Sequence, residues 1–564
     1  MSPAWAQPAV GLNTAPAVPP VDNPCPRFTQ GAEISTPPAL YSQNGVLAVL
    51  FSYQQTTDAQ GRTLYCYMTP DGLQNPTLNV LPGDTLYVTL TNNTPQGANP
   101  MQLDPPNCGA LFMNSTSVNL HYHGTNTAPT CGSDEVIKTT INSGDTFTYG
   151  LEFPTDEPPG LYWYHPHVHG ISDPAVMGGA TGALVVEGIE SVFPVLQGMP
   201  QQMIVLRDQQ QYQNVGEASG TCWIGVPFRD VTVNNVPVNS YALTRQVAIF
   251  MPASLTVPAN QTQFWRVANT SADTILDLAL NYDGVQQPLS IYAIDGVPVN
   301  SQDGTGPAGP PVSVSHFRLP PASRVEFVAR MPGPGVRSAS FMTNNINTGA
   351  DGDCNPMRRL ISLSTTDSAP TVTTAAHRPI DPTAARRFAG LGDSAVSAER
   401  LLYFAENADQ TEFYMAVDGQ APHVFNPNQA PGIVTQQGAV EQWVVQNRSL
   451  ENHEFHIHQI HFLVQSQNDF GSAPQAPGIN NQYLDMIEVP AWSGNPSDPY
   501  PSVTLLMDFR GAVVGDFVFH CHLLNHEDLG MMNIIQVVAD LSETEVRRPA
   551  PQVAHQHGGS VRPR

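Results

Sequence analysis

The chain has 564 residues, a formal net charge of −25 and only 23 lysines and arginines against 48 aspartates and glutamates. That length exceeds what one hydrophobic core supports and suits three or four domains. The negative charge argues against nucleic acid or an anionic membrane as partner, and no apolar run approaches the ~18 residues that a membrane span needs.

Residues 1–33 are rich in Pro, Ala and Asn and read as an extended tail. Ala4-Trp5-Ala6 within them fits a short A-x-A processing site, and with the cysteine content below it leads to the expectation of a secreted or periplasmic protein. From Val46 the chain alternates strand-like runs with turn clusters, and 53 prolines and 44 glycines punctuate it, which favours an all-β protein. Thr77 to Asn92 reads as two strands joined at Pro82-Gly83-Asp84, a turn made by a fixed φ and a glycine. The same strand, turn and strand ending in Asn returns at Leu255 to Asn269 and, more loosely, at Gly432 to Asn447. Three copies of one β-domain are expected from this repeat, over 34–195, 196–370 and 401–541. The Thr-, Ala-, Pro- and Arg-rich stretch 371–400 reads as a linker, and 542–564 as a disordered tail. Short strands with regular turn signals in domains of this size predict Greek-key sandwiches or barrels with few helices.

Seven cysteines are present. If Cys521 binds a metal, an even set remains, suited to three disulfides in an oxidising compartment. Order and proximity suggest Cys25–Cys66, Cys108–Cys131 and Cys222–Cys354, although spacing alone does not fix the connectivity.

Histidine carries the chemistry. Six His-x-His pairs occur, at His121/His123, the overlapping pairs of His165-Pro-His167-Val-His169, His456/His458, His520/His522 and His555/His557. Random placement of 17 histidines would give far fewer. On a strand, residues i and i+2 share a face, so each pair can grip adjacent metal ions. The pair in the tail, His555/His557, is read as solvated. Cys521 stands between His520 and His522 and therefore points to the opposite face. His526 and Met531 follow at spacings that let the chain turn back towards it. Thiolate and imidazole with a long axial Met is the ligand set of a blue-copper electron-transfer site, which needs one more imidazole from elsewhere.

Four motifs, His121-Tyr-His123-Gly, His165-Pro-His167, His453-x-x-His456-x-His458 and His520-Cys521-His522 with His526 and Met531, resemble those of the multicopper oxidases. That laccase-like family is built of three cupredoxin domains, and the resemblance covers nearly the whole chain. It implies four copper ions. His453, Cys521 and His526, with Met531 axial, would hold a type 1 copper, and His121 and His456 a type 2 copper. His123, His165, His167, His458, His520 and His522 would hold a coupled type 3 pair. His169 and His461 have no ligand role in the family and are expected behind the ligands or at the surface. The resemblance further implies oxidation of donors one electron at a time at the type 1 copper, with O2 reduced to water at the other three. His453 is expected to offer the exposed edge through which electrons enter, and Cys521 to pass them on. The cluster is expected between the first and third domains.

Two acids are candidates for proton delivery. Asp134 matches loosely the family's first-domain acid near the type 2 copper, and Glu527 in His-Glu-Asp-x-Gly-Met-Met resembles the bacterial members' proton-passing glutamate. The bland alternative for each is a loop carboxylate. Expected donors are phenols and aromatic amines. Low-valent metal ions, oxidised by a ferroxidase or cuprous oxidase, are the alternative, for which Glu451 and Glu454 flank His453. The chain has 16 methionines and no Met-rich run, which disfavours a copper-exporting role. A copper-storage protein or a nitrite reductase would not need all ten histidines. The protein is expected to act as a monomer.

Overall fold

A computed structural model of the chain describes residues 24–541 except 59–60, 212–228, 239, 245–246, 302–307, 368–377, 382–385, 472, 474 and 512. The processing site, most of the N-terminal tail, the C-terminal tail with His555/His557, and Cys222 lie outside the described residues. The architecture is all-β, as the strand and turn signals predict, in sandwiches of the cupredoxin kind that the resemblance implies.

Each third of the chain supplies two facing sheets. Strands between Ala39 and Val186 form a five-stranded and a four-stranded sheet, those between Gln201 and Thr366 an eight- and a six-stranded one, and those between Ala398 and Val538 a six- and a five-stranded one. The first strand of the last group, Ala398–Glu406, begins within the stretch expected as a linker. The described part of the expected linker is tied down: Phe388 is buried and stacks on Tyr483 at 5.0 Å, and Arg378 pairs with Glu187.

The repeat has a physical cause. The strands Thr85–Asn92, Thr262–Asn269 and Val440–Asn447 each bury apolar residues in a sandwich interior, alternately in the first and third and almost throughout in the second, and end on an asparagine that is fully buried. Asn92 donates from its amide to the carbonyls of Thr116 and Ile141, Asn269 to those of Thr274 and Leu319, and Asn447 to those of Glu451, Val489 and Pro490. In each copy the side-chain oxygen also accepts a backbone N–H two residues on, at Thr94, Ser271 and Ser449. A buried loop would leave carbonyls unsatisfied. The asparagine, with two donors and an acceptor, closes the strand end and satisfies them.

Two of the expected disulfides are present, Cys25–Cys66 and Cys108–Cys131, and Cys521 is free and buried. The second closes a loop of sequence separation 23 that contains His121 and His123. No described helix is long and apolar enough to cross a membrane.

Candidate metal centre

The strand His121–His123 pairs antiparallel with Gly160–His165, setting His121 opposite His165. In the last sandwich His453–Ile457 pairs with Gly515–Cys521, setting His456 opposite His520 and Phe455 opposite Cys521. Alternation then sorts the side chains. His456, His458, His520 and His522 go to one face, His453 and Cys521 to the other. The first face meets the histidine edge of the first sandwich, where the rings of His121 and His458 stack at 3.8 Å and those of His123 and His456 at 3.9 Å.

Eight imidazoles thus converge, all buried, in three sets whose ligand atoms lie within 4.8 Å of one another: His121, His123 and His456; His123, His165 and His522; His167, His458 and His520. Five of them turn one nitrogen outward to a fixed acceptor. His121 Nδ1 donates to Asp134 Oδ1 at 3.0 Å, His123 Nε2 lies 3.2 Å from Asp485 Oδ1, and His165 Nδ1 donates to the Pro166 carbonyl at 2.9 Å. His456 Nδ1 donates to the Asp485 carbonyl at 2.8 Å and His520 Nδ1 to the Cys521 carbonyl at 2.8 Å. The opposite nitrogens of His121, His123, His165 and His456 are buried without a partner, as are both nitrogens of His522. The Nε2 atoms of His167 and His458 each lie 3.2 Å from that of His520. Burial lowers the pKa of all eight, so they are neutral and present lone pairs. A group of lone pairs facing one another in a dry interior costs free energy unless a cation takes them up, so the donor set fits imidazole-binding metal ions.

On the other face His453 Nδ1 and His526 Nδ1 lie 3.6 and 3.8 Å from Cys521 Sγ, and 3.1 Å from each other. The Glu454 backbone N–H points at the same sulfur at 3.4 Å. Met531 is fully buried, and its backbone is tied to both ligands: its N–H donates to the His526 carbonyl and its carbonyl accepts from Cys521 N–H. Burial raises the Cys521 thiol pKa, so a thiolate there requires a bound cation. Two imidazoles and a thiol, with Met531 tied to two of them through its backbone, fit copper.

The expected electron-entry edge is corrected. His453 has no solvent exposure, its Nε2 is held by Ser449 Oγ at 2.6 Å, and Phe404 lies against its ring at 4.9 Å. His526 is the imidazole nearer the surface, at 7 % exposure, with Phe413 stacked on its face at 4.4 Å and its Nε2 3.3 Å from Glu451 Oε1. The reason is position in the fold: His453 begins an interior strand flanked on both sides, whereas His526 sits on the short helix Leu524–Asp528 beyond the sheet edge.

Both candidate proton carriers are fully buried beside ligands. Asp134 accepts from His121, from the Tyr122 N–H at 3.0 Å and from Gln459 Nε2 at 2.7 Å. Burial pushes its carboxyl well above the usual range, against the pull of those hydrogen bonds. Glu527 lies 3.4 Å from His520 Nδ1 and 3.7 Å from His167 Nδ1, and burial raises it as well. His169 stays outside the ligand sets with its ring against Phe425, and His461 is buried behind them, its Nε2 on the Asp295 carbonyl at 3.0 Å. Glu454 is buried opposite Glu488 in the neighbouring strand and away from Cys521's face. Asp485 and Arg324 were not legible in the sequence, because each acts across a domain boundary from a stretch without a motif, and Gln459, although next to His458, acts across a boundary on Asp134. Glu406, which joins Glu451 and His453 in a further candidate metal group, lies on a separate strand.

Two multicopper oxidase family models match residues 112–191 and 396–540. A laccase of Haloferax volcanii is 36% identical over 110 residues, a match spanning 20% of this chain and 17% of that laccase. Among solved structures, a variant of the McoA multicopper oxidase of Aquifex aeolicus aligns with a TM-score of 0.63 at 17% identity over 90% of this chain and all of the other. A Campylobacter jejuni multicopper oxidase described as a metallo-oxidase gives 0.62 at 18% identity over 91% and 96%. The laccase-like CueO of Ochrobactrum sp., described as active towards lignin model compounds, gives 0.60 at 19% identity over 89% and 100%.

Proposed function

The chain belongs to the multicopper oxidase family, and from that premise we propose that it is a laccase-type oxidase of phenols and aromatic amines that reduces O2 to water. The observation that carries this reading is the covalent run His520-Cys521-His522, which places a thiol in one candidate site and its two neighbours in the sets on the opposite face. We assign one type 1 copper to His453, Cys521, His526 and Met531, and one type 2 copper to His121 and His456. The type 3 pair falls to His123, His165 and His522 for one ion and His167, His458 and His520 for the other. Copper held there supplies single-electron acceptance at the Cys521 site and four-electron reduction of O2 at the histidine sets.

The residues of the chain do the rest. The backbone and side chain of Cys521 form the shortest covalent path between the two sites. Full burial of the eight imidazoles excludes bulk water, which strengthens every polar interaction among them. Asp134 sits beside His121 with both carboxyl oxygens accepting hydrogen bonds, and Glu527 sits between His167 and His520, so two buried acids flank the sets from different sides, and we assign them to proton delivery. Donors approach His526, whose ring lies between Phe413 and Glu451. The Haloferax relative, named a laccase, supports this reading over the 110 residues it shares.

A second reading, oxidation of Fe²⁺ or Cu⁺, is favoured by the juxtaposition of the Glu406 and Glu451 carboxylates at this edge. Oxygen uptake by the copper-loaded protein with a phenol, Fe²⁺ and Cu⁺ in parallel, repeated with Glu451→Gln, separates the two. The laccase reading expects uptake with the phenol that survives the substitution. Uptake confined to the metal ions and abolished in the variant would select the second, and no uptake with any donor would sink both.

A further inference from the structure

The middle sandwich supplies none of the assigned ligands, yet one of its side chains reaches them. We propose that Arg324 is a positioning residue for the histidine sets, acting through Asp485 to fix which nitrogen of His123 faces the metal. The inference rests on the multicopper oxidase reading of those sets.

Arg324 opens the strand Arg324–Arg330 and is fully buried. Its Nη1 and Nη2 donate to Asp485 Oδ1 and Oδ2 at 2.8 and 2.5 Å, a fork on a carboxylate of the last sandwich. Its Nε donates to the Leu161 carbonyl at 3.1 Å, on the first-sandwich strand that ends in His165. Nη1 also meets the Ala322 carbonyl at 2.9 Å, and the Arg324 backbone N–H donates to Asp295 Oδ1 at 2.8 Å. One guanidinium therefore bonds all three sandwiches at once.

Asp485 in turn touches two ligands. Its Oδ1 faces His123 Nε2 at 3.2 Å and its carbonyl takes His456 Nδ1 at 2.8 Å. An ionised carboxylate only accepts and a guanidinium only donates, so the fork holds both oxygens of Asp485 as acceptors. Nε2 of His123 must then carry the proton, which leaves Nδ1 as the lone pair, and Nδ1 is the nitrogen that is buried without a partner. The fork passes directly behind His123. A Cβ on Gly124 would lie 2.2 Å from Asp485 Oδ2 and 2.4 Å from Arg324 Nη2, at φ +83°, so only glycine at this position lets the pair close on the histidine. Partners behind metal ligands set tautomer and ring orientation, and losing one typically costs ~10–100-fold in metal affinity or activity.

A purely structural role, joining three sandwiches, would lower stability and leave the metal sets alone. The test is therefore made on copper. Full-length wild type, Arg324→Lys, Arg324→Gln and the double variant Arg324→Gln/Asp485→Asn are loaded with copper. Affinity at the histidine sets, blue absorbance and electron-spin signal per bound copper are then measured. The double variant leaves no uncompensated charge at Asp485 and guards against simple unfolding of the single one. We expect both Gln-containing variants to keep the blue absorbance and to bind copper at the histidine sets ~10–100-fold more weakly. Spin per bound copper should rise, since loss of one ion of a coupled pair unmasks the other. Arg324→Lys, a point charge without the fork, should recover only part of the affinity. Folded double variant with wild-type affinity and spin per copper would overturn the proposal. A wild-type protein that takes up no copper at these sets would instead overturn the oxidase reading beneath it.

Discussion

Replacing Asp134 by Asn tests whether a buried acid serves oxygen reduction or only packs beside it. The hydrogen bonds dictate how the amide sits. His121 Nδ1 and the Tyr122 N–H both donate to Oδ1, so the amide oxygen must stay there and the NH2 must take the Oδ2 position opposite Gln459 Nε2. Two donors then face each other, but the Gln459 oxygen has no partner, and turning its amide over restores the bond. The fold should survive with the side-chain hydrogen bonds remade, losing only the long bond from Gln459 Nε2 to the Asp134 carbonyl at 3.4 Å. What is lost is the titratable carboxyl behind His121. Loss of such a partner costs ~10–100-fold, or about 1.4–2.7 kcal/mol of transition-state stabilisation. With donor saturating, kcat for oxygen uptake should fall by that factor, while the donor's KM, copper content and blue absorbance stay at wild-type values. Unchanged kcat would reduce Asp134 to a packing group. Loss of the blue colour would refute the geometry itself, since the Cys521 site is reached only through the protein from Asp134.

Other outcomes follow from single contacts. Glu527→Gln should likewise slow oxygen uptake and leave the blue absorbance intact, because Glu527 lies beside His520 and His167 and not beside Cys521. Met531→Leu should raise the reduction potential of the blue site in a redox titration, since a thioether donates electron density to the oxidised ion; an unchanged or lowered potential would count against Met531 as the axial ligand. Changing Cys108 and Cys131 both to Ser opens a loop of sequence separation 23 and should lower unfolding stability by about 3 kcal/mol in denaturant titrations. Glu157 is buried, and desolvation pushes its carboxyl up from 4.5 to about 7. The unfolded chain loses this proton first, so the carboxyl costs nothing below pH 4.5, costs progressively more up to about 7, and a constant amount above. Glu157→Gln removes that penalty, so the variant's stability relative to wild type should improve by up to about 3 kcal/mol between about pH 4.5 and pH 8. A pH-independent difference between the two would refute the shift.

The sequence by itself determined the repeat, the multicopper oxidase resemblance and which histidines could serve as ligands. Asn92, Asn269 and Asn447 recur because each sandwich must satisfy the same carbonyls at the same strand end. The His-x-His pairs are legible because a strand's two-residue period turns spacing directly into a shared face, and the Cys between His520 and His522 must then point the other way. Local periodicity carries all of that. Only the tertiary structure decided which histidines form which set, since rings from strands more than 300 residues apart share each one. It also buried His453 and left His526 nearer the surface, because burial depends on what packs against a strand and not on the strand's own pattern. Asp485 and Arg324 stayed invisible for the same reason: each is an ordinary polar residue in an unremarkable stretch. Its part in the site comes from a contact across sandwiches, at a distance that no spacing along the chain encodes.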